Sequence, residues 1–111
     1  MNLKNLIIAI IFVLGVVRGE EFTIGSYFRD LYRQCGQLRW KWKMECPAVA
    51  QRVEAGYLND LRESGVEDPN MVRMAKVVRE VCYYGCLERG RDGKKIIQKG
   101  VAEAKSILFK R

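Results

Sequence analysis

Four cysteines constrain the fold of this 111-residue chain more than any other feature. They are Cys35, Cys46, Cys82 and Cys86, and an even number of cysteines in a short chain favours disulfides where the compartment is oxidising. The chain contains no histidine, and the cysteine spacing lacks the paired short intervals of zinc ribbons. We therefore predict two structural disulfides and no metal site.

The amino-terminal residues indicate the compartment. Met1–Gly19 contains a positive residue, Lys4, followed by the apolar run Leu6–Val17, which is too short to span a bilayer comfortably. Small residues stand at positions −3 and −1 before the bond Gly19–Glu20. We predict a signal peptide over 1–19, a single mature domain over 20–111 and an extracellular, secreted protein. A signal anchor is the alternative.

Hydrophobic periodicity predicts an all-α fold. Apolar residues recur at steps of three and four in four stretches, and no stretch alternates with a period of two. The stripes are Ile24, Tyr27, Phe28, Leu31, Tyr32, Cys35 and Leu38; Val49, Ala50, Val53, Tyr57, Leu58 and Leu61; Met71, Met74, Ala75, Val78, Val81, Cys82 and Leu87; and Ile97, Val101, Ala104 and Leu108, with Ile96 and Ile107 beside them. The expected architecture is a small disulfide-bridged bundle of three helices plus a C-terminal amphipathic helix.

Proline and glycine residues predict the helix boundaries. The first helix should run from about residue 26 to 43, and Pro47 fits the first turn of the second. Gly65 stands where a left-handed C-terminal residue is wanted, and Asp68-Pro69 predicts an N-cap followed by the first residue of the third helix. Gly56 lies inside the second stripe, where glycine costs about 1 kcal/mol relative to alanine.

Helix geometry restricts the disulfide connectivity. Cys82 and Cys86 are four residues apart on one helical face, where they are poorly directed to bond each other. In an up-down-up arrangement the first and third helices run parallel, which favours Cys35–Cys82 with Cys46–Cys86. The crossed pairing, Cys35–Cys86 with Cys46–Cys82, remains the alternative because sequence alone does not fix connectivity.

The positive charge is concentrated at the C-terminal end. Residues 20–88 contain ten basic and eleven acidic residues, whereas residues 89–111 contain eight basic and two acidic ones. A near-neutral body with a basic C-terminal helix indicates an anionic partner. For a secreted monomer, we expect that partner to be a membrane protein such as an ion channel, or an anionic membrane surface, and not a nucleic acid.

The composition also argues against catalysis. Without histidine, neither a Ser-His-Asp triad nor a Cys-His dyad can form. The sequence contains no glycine-rich phosphate-binding loop. We predict that the protein is not an enzyme and uses no cofactor.

A segment of alternating cations and indoles is the first candidate for a target- or membrane-binding surface. Arg39, Trp40, Lys41, Trp42 and Lys43 directly precede the second helix. Tryptophan favours membrane–water interfaces, and interleaved cations add attraction to anionic headgroups or carboxylates. The alternative is that one tryptophan packs in the core, since Trp40 and Trp42 point about 200° apart on a helix.

The basic C-terminal helix is the second candidate for that surface. Lys94, Lys95, Lys99 and Lys105 supply its cationic face, opposite a moderately apolar stripe. The alternative is a fourth helix that covers the body while its lysines are solvated.

The C-terminal region also contains two short motifs of a different kind. Gly93-Lys94-Lys95 has the form of a dibasic cleavage and amidation signal, and Lys110-Arg111 is a second dibasic pair. Cleavage at these sites would release a separate peptide, but such pairs also occur by chance in a lysine-rich tail.

The layout of leader, helical body, bridged cysteines and cationic surface resembles that of arthropod venom proteins, specifically the centipede scoloptoxins. The cysteine pattern is Cys35-x10-Cys46-x35-Cys82-x3-Cys86. This resemblance covers the whole chain and implies a toxin that modulates an ion channel or another membrane target in prey. The Cys82-x3-Cys86 spacing is similar to one found in insect odorant-binding proteins, which implies a small-molecule carrier. A cationic membrane-active or antimicrobial protein is a further alternative.

Overall fold

Four helices make up the part of the chain that the structure describes. The computed structural model describes residues 20–109, with side chains for residues 24–109. The predicted signal peptide and the Lys110-Arg111 pair lie outside these residues. The helices are α1 (Glu20–Trp42), α2 (Cys46–Glu63), α3 (Pro69–Leu87) and α4 (Lys94–Phe109). Residues 20–109 contain no strand, so the predicted all-α, disulfide-bridged bundle is confirmed.

The helix ends follow the local signals of the sequence. Gly65 has a φ of 78°, and the next residue, Val66, donates its N–H to the carbonyl of Leu61 at 3.0 Å, which closes the end of α2. At the start of α3, the Asp68 carboxylate accepts a hydrogen bond from the Asn70 N–H at 2.8 Å. The start of α1 differs from the prediction, because the helix begins at Glu20 and not near residue 26.

Neighbouring helices in the chain are antiparallel. In each pair, contacts near the end of one helix join residues near the start of the next, so the bundle runs up-down-up-down and α1 is parallel to α3. The interacting pairs are Trp42 with Arg52 and Tyr27 with Asp60 for α1 and α2; Cys46 with Cys86 and Glu54 with Arg79 for α2 and α3; and Glu80 with Lys99 for α3 and α4. Arg73 of α3 and Ile107 of α4 also line one shallow depression.

Helix α3 forms the centre of the bundle. It packs against all three other helices, whereas α1 and α2 touch each other much less. It also contributes the largest share of the core, since eight of its apolar side chains are buried. These are Met71, Met74, Ala75, Val77, Val78, Val81, Cys82 and Cys86. Leu87, predicted to extend this stripe, is instead about half exposed at the helix end.

Two disulfides join α3 to α1 and to α2. Cys35 in α1 bonds Cys82, with a Cα–Cα distance of 5.3 Å, and Cys46 at the start of α2 bonds Cys86, with a Cα–Cα distance of 5.7 Å. This is the parallel pairing that helix geometry favours, and the crossed pairing is not formed. Both bonds belong to the buried core, so they fasten α1 and α2 to the same two turns of α3.

Glycine lets the backbones of α1 and α3 approach closely. A Cβ atom at Gly85 would lie 2.9 Å from the Cα of Tyr32 and still closer to its carbonyl oxygen. One turn along, a Cβ atom at Gly36 would lie 2.8 Å from the Cα of Gly90. The Tyr32 hydroxyl donates to the Arg91 carbonyl at 3.0 Å, which ties the α3–α4 connection to α1.

The close approach predicts opposite effects for two glycine substitutions. Gly85→Ala should lower the free energy of unfolding by about 1–3 kcal/mol or more, because the new methyl group meets backbone atoms that cannot move aside cheaply. Gly56→Ala should raise it by about 0.5–1 kcal/mol, since its Cβ meets no atom within 4 Å and alanine favours the helix. Urea unfolding followed by circular dichroism measures both. Equal effects of the two substitutions would contradict the assignment of Gly85 as the contact point.

The disulfides should contribute a large share of stability. They close chain segments of 47 and 40 residues, and in the chain-entropy model each bond stabilises a fold by roughly 4 kcal/mol. A small domain has a total stability of about 5–15 kcal/mol. Reduction and alkylation should therefore abolish the cooperative thermal transition, measured against the oxidised protein in the same buffer. A reduced protein that kept its transition temperature would show that the bonds are incidental.

Candidate binding surfaces

The turn between α1 and α2 forms a corner that is fixed to the core. Lys43 adopts a left-handed conformation, with a φ of 53°, and the Met44 N–H donates to the Arg39 carbonyl at 3.2 Å. These features end α1. Cys46 follows two residues later and bonds α3. We name Arg39, Trp40, Lys41, Lys43 and Glu45 the basic corner. Its backbone is held by a helix end on one side and a disulfide on the other.

The two tryptophans of the predicted surface separate. Trp40 is 66% exposed, whereas Trp42 is half-buried and packs against the edge of the core. The guanidinium of Arg52 in α2 stacks on the Trp42 ring, 4.1 Å from its centroid. The alternative in which one tryptophan packs against the core describes Trp42, whereas Trp40 faces solvent. Binding of a target or membrane by this segment stays a prediction.

The charges of the basic corner are also unequal. Arg39 lies 3.5 Å from the Glu45 carboxylate, and its guanidinium lies 5.7 Å from the centroid of the Trp40 ring. The attraction of Glu45 offsets the charge of Arg39. Lys41 and Lys43 are exposed and supply the excess positive charge. A shallow depression of about 290 Å³ lies beside Trp40 and is lined by Arg39, Trp40, Lys43, Met44 and Glu45.

Helix α4 packs against the body as a fourth helix of the bundle. Its most deeply buried residues are Gly100, Ala104 and Ile107. A Cβ atom at Gly100 would lie 2.7 Å from Val81 Cγ2, so glycine permits α4 to approach α3 closely. As a result, the face of α4 that is buried against the body is rotated about the helix axis relative to the predicted apolar stripe. Its predicted members Ile97, Val101 and Leu108 are only half-buried. The covering-helix alternative describes this packing.

The lysines of α4 differ in their surroundings. Lys99 pairs with Glu80 at 3.0 Å and lies 3.8 Å from Glu103; the hydrogen bond to Glu80 is the main cause that raises its pKa. Lys94 and Lys95 are exposed in the first turn, whereas Lys105 is half-buried near the other end. The charge that the sequence assigns to the tail is therefore partly offset by the body.

The possible processing site lies at the start of α4. Gly93 is buried against the ring of Tyr32, and a Cβ atom there would overlap that ring. Lys94 and Lys95 are exposed beside it. Cleavage there stays a prediction, and it would cut the chain next to a packed glycine.

A groove lies between α1 and α2, and no motif in the sequence indicates it. Its volume is about 590 Å³, and it exists because these two helices touch each other sparingly. Its lining is mostly apolar and comes from both helices: Tyr27, Leu31, Gln34, Cys35, Leu38 and Trp42 of α1, and Arg52, Val53, Ala55, Gly56, Tyr57, Asn59 and Asp60 of α2. The sequence signal for it was Gly56, a glycine inside a helix without a turn to explain it.

Tyr57, one of the groove residues, carries a buried hydroxyl for which the described residues offer no hydrogen-bond partner. The Tyr57 side chain is 1% exposed, and its hydroxyl is a buried polar atom without a hydrogen bond within residues 24–109. Burial raises the pKa of Tyr57 above that of an ordinary tyrosine, so its hydroxyl stays a protonated donor at neutral pH. A buried donor without an acceptor is unfavourable by about 1–3 kcal/mol.

Comparison with known proteins gives no relative. No protein family, curated protein or solved structure matches this chain. None of the helices in residues 20–109 has the length and hydropathy needed to cross a membrane. Across the same residues, no three cysteine, aspartate or glutamate side chains gather as a metal site would require. Functional inference therefore depends on the geometry of the basic corner and the groove.

The unpaired hydroxyl predicts an unusual substitution. Tyr57→Phe removes a buried donor that has no acceptor and keeps the aromatic ring, so it should raise the free energy of unfolding by about 1 kcal/mol. Tyr32→Phe is the matched control, because it removes a hydroxyl that does make a hydrogen bond, and it should destabilise the protein. Thermal unfolding at one pH compares them. A loss of stability in Tyr57→Phe would indicate a hydrogen bond at that hydroxyl.

Proposed function

We propose that the protein is a secreted, disulfide-stabilised binding protein whose basic corner docks on an acidic surface of a membrane protein. The observation that carries the proposal is the exposure of Trp40 between cations on a fixed backbone. Tryptophan is enriched among the residues that dominate binding energy, and cations beside it add attraction to an acidic partner.

The disulfides support the extracellular part of the proposal. Intramolecular disulfides persist in oxidising compartments and are rare in reducing ones. The predicted signal peptide over 1–19 agrees with that compartment. The bond between Cys46 and Cys86 also lowers the entropy that the corner would lose on binding, since its backbone is ordered beforehand.

The distribution of charge favours the corner over α4. Lys41 and Lys43 are exposed beside Trp40, so cations and an aromatic anchor lie on one small surface. In α4, Lys99 is already paired with Glu80. A paired lysine must give up that contact before it binds an acidic partner. The corner therefore offers more attraction at a lower desolvation cost.

Modulation of an ion channel is the activity to test first. The resemblance to centipede scoloptoxins implies a toxin that acts on prey, and channel mouths commonly carry rings of carboxylates. Lysines beside an exposed indole could block or cover such a ring. In this form of the proposal the protein is a toxin, and its target is a cation channel with an acidic outer surface.

Current recordings with matched variants test the proposal. The oxidised protein at micromolar concentration is applied to sodium, potassium and calcium channels. The expected result is a change in current from at least one channel type. Lys41→Gln with Lys43→Gln should weaken the effect at least about tenfold, because two charge contacts are lost. Trp40→Ala should weaken it by a similar factor.

The control neutralises the same amount of charge elsewhere. Lys94→Gln with Lys95→Gln removes two exposed positive charges from α4 and should leave potency nearly unchanged. If this variant loses potency and the corner variant does not, α4 is the active surface and the proposal is wrong. Dye release from anionic vesicles at the same concentration would instead indicate direct action on the bilayer. No effect on any of the three channel types would contradict the channel form of the proposal.

A further inference from the structure

The groove between α1 and α2 has the dimensions of a ligand site. Ligand pockets usually have volumes of about 300–1,000 Å³ and are lined by apolar and aromatic side chains with a few polar groups. The groove is about 590 Å³, and Leu31, Leu38 and Val53 contribute to its apolar lining. Because both helices are fastened to α3 by disulfides, the space between them is a fixed feature of the bundle.

Gly56 supplies an independent observation. At Gly36, Gly85 and Gly100, which also lie in helices, a Cβ atom would come within 3.0 Å of other atoms, so packing within the chain explains those glycines. At Gly56 a Cβ atom would meet nothing within 4 Å. The helix therefore bears the cost of a central glycine without a packing reason. Gly25 in α1 also has room for a Cβ atom, and of these two glycines it is Gly56 that lines the groove.

The groove has a positively charged residue near one end and a negatively charged residue near the other. Arg52 lies at the end next to Trp42, and its guanidinium is positioned on that ring. Asp60 lies near the other end, beside Tyr27. An anionic group is therefore attracted to the Arg52 end and repelled from the Asp60 end. Arginine suits this role because its planar fork binds a carboxylate through two hydrogen bonds.

The Tyr57 hydroxyl adds a second polar feature. It is the buried side-chain polar atom without a partner within residues 24–109, and Tyr57 lines the groove. Buried polar groups are normally paired with protein or water. The hydroxyl is itself sealed from solvent, so the ligand proposed below is placed on Arg52 and not on Tyr57.

We propose that this groove binds an aliphatic carboxylic acid, with its carboxylate on Arg52 and its apolar chain along Leu38, Leu31 and Val53. This site differs from the basic corner. It needs neither Trp40 nor Lys41, and it adds a small-molecule ligand to a protein whose proposed function is to bind a macromolecule.

Trp42 provides a direct reporter of the groove. The chain has two tryptophans, so Trp40→Phe leaves Trp42 as the single indole. In this variant, dodecanoic acid, dodecanol and dodecylamine are titrated into the oxidised protein while Trp42 emission is recorded. The three ligands share one chain and differ in head group. Dodecanoic acid should bind about tenfold more tightly than dodecanol, because only its carboxylate can accept charge-assisted hydrogen bonds from the Arg52 guanidinium. Dodecylamine should bind more weakly than the acid.

Two further variants locate the site. Arg52→Gln, made in the same background, should remove the preference for the acid over the alcohol. Gly56→Leu should fill the groove and weaken binding of the acid at least about tenfold. Gly25→Leu is its matched control, since that glycine also lies in a helix, is not part of the groove lining and has room for a Cβ atom. Circular dichroism checks that each variant is folded.

The outcomes separate cleanly. Equal affinities for acid and alcohol, or a preference that survives Arg52→Gln, would overturn the assignment of the carboxylate to Arg52. Undiminished binding in a folded Gly56→Leu variant would show that the ligand does not occupy the groove. An unchanged Trp42 signal at saturating ligand, together with no heat of binding by calorimetry, would exclude the site. The two proposals can fail separately. The groove titrations use a protein without Trp40, whereas the channel recordings use the protein with an intact basic corner.

Discussion

The close contact of α1 with α3 is the constraint on which the rest of the structure depends. At Gly85 the absence of a side chain lets the α3 backbone reach that of Tyr32, and the Cys35–Cys82 bond joins the same two helices one turn away. A short distance between two helices is unfavourable for any larger residue, because their backbones cannot yield. The contact therefore depends on Gly85 and on one covalent bond, and Gly36 permits a second close approach one turn along α1.

Once α1 and α3 are close together, the remaining helices have few positions available. Helix α2 is held to α3 by Cys46–Cys86 and by packing along its length, so it makes few contacts with α1. The space left between them becomes the groove. Helix α4 then covers the other side of the bundle, where Gly100 admits it against Val81. Both the groove and the packing of α4 thus follow from the central position of α3, against which the other three helices pack.

The end of α1 divides its functional groups between two surfaces. Trp40 and Trp42 are two residues apart, so a helix directs them to different sides. Trp42 turns towards the groove, where Arg52 covers it, while Trp40 turns to solvent beside Lys41. A short segment with one composition therefore serves two proposed sites, one for a macromolecule and one for a small acid. The segment keeps the positive charges of Lys41 and Lys43 beside Trp40, because Glu45 pairs with Arg39.

Local physics allowed the sequence to determine the four helices, the boundary between α2 and α3, and the preferred cysteine pairing, but not the start of α1. Asp68 and Gly65 act through atoms only a few residues away, so their roles can be read without the fold. The signs of the charges were also evident, but their partners were not. That Lys99 meets Glu80, and that α1 and α2 stand apart around Gly56, depends on how far each helix is rotated in the bundle. Helical rotation is decided by packing between residues distant in sequence, which only the tertiary structure specifies.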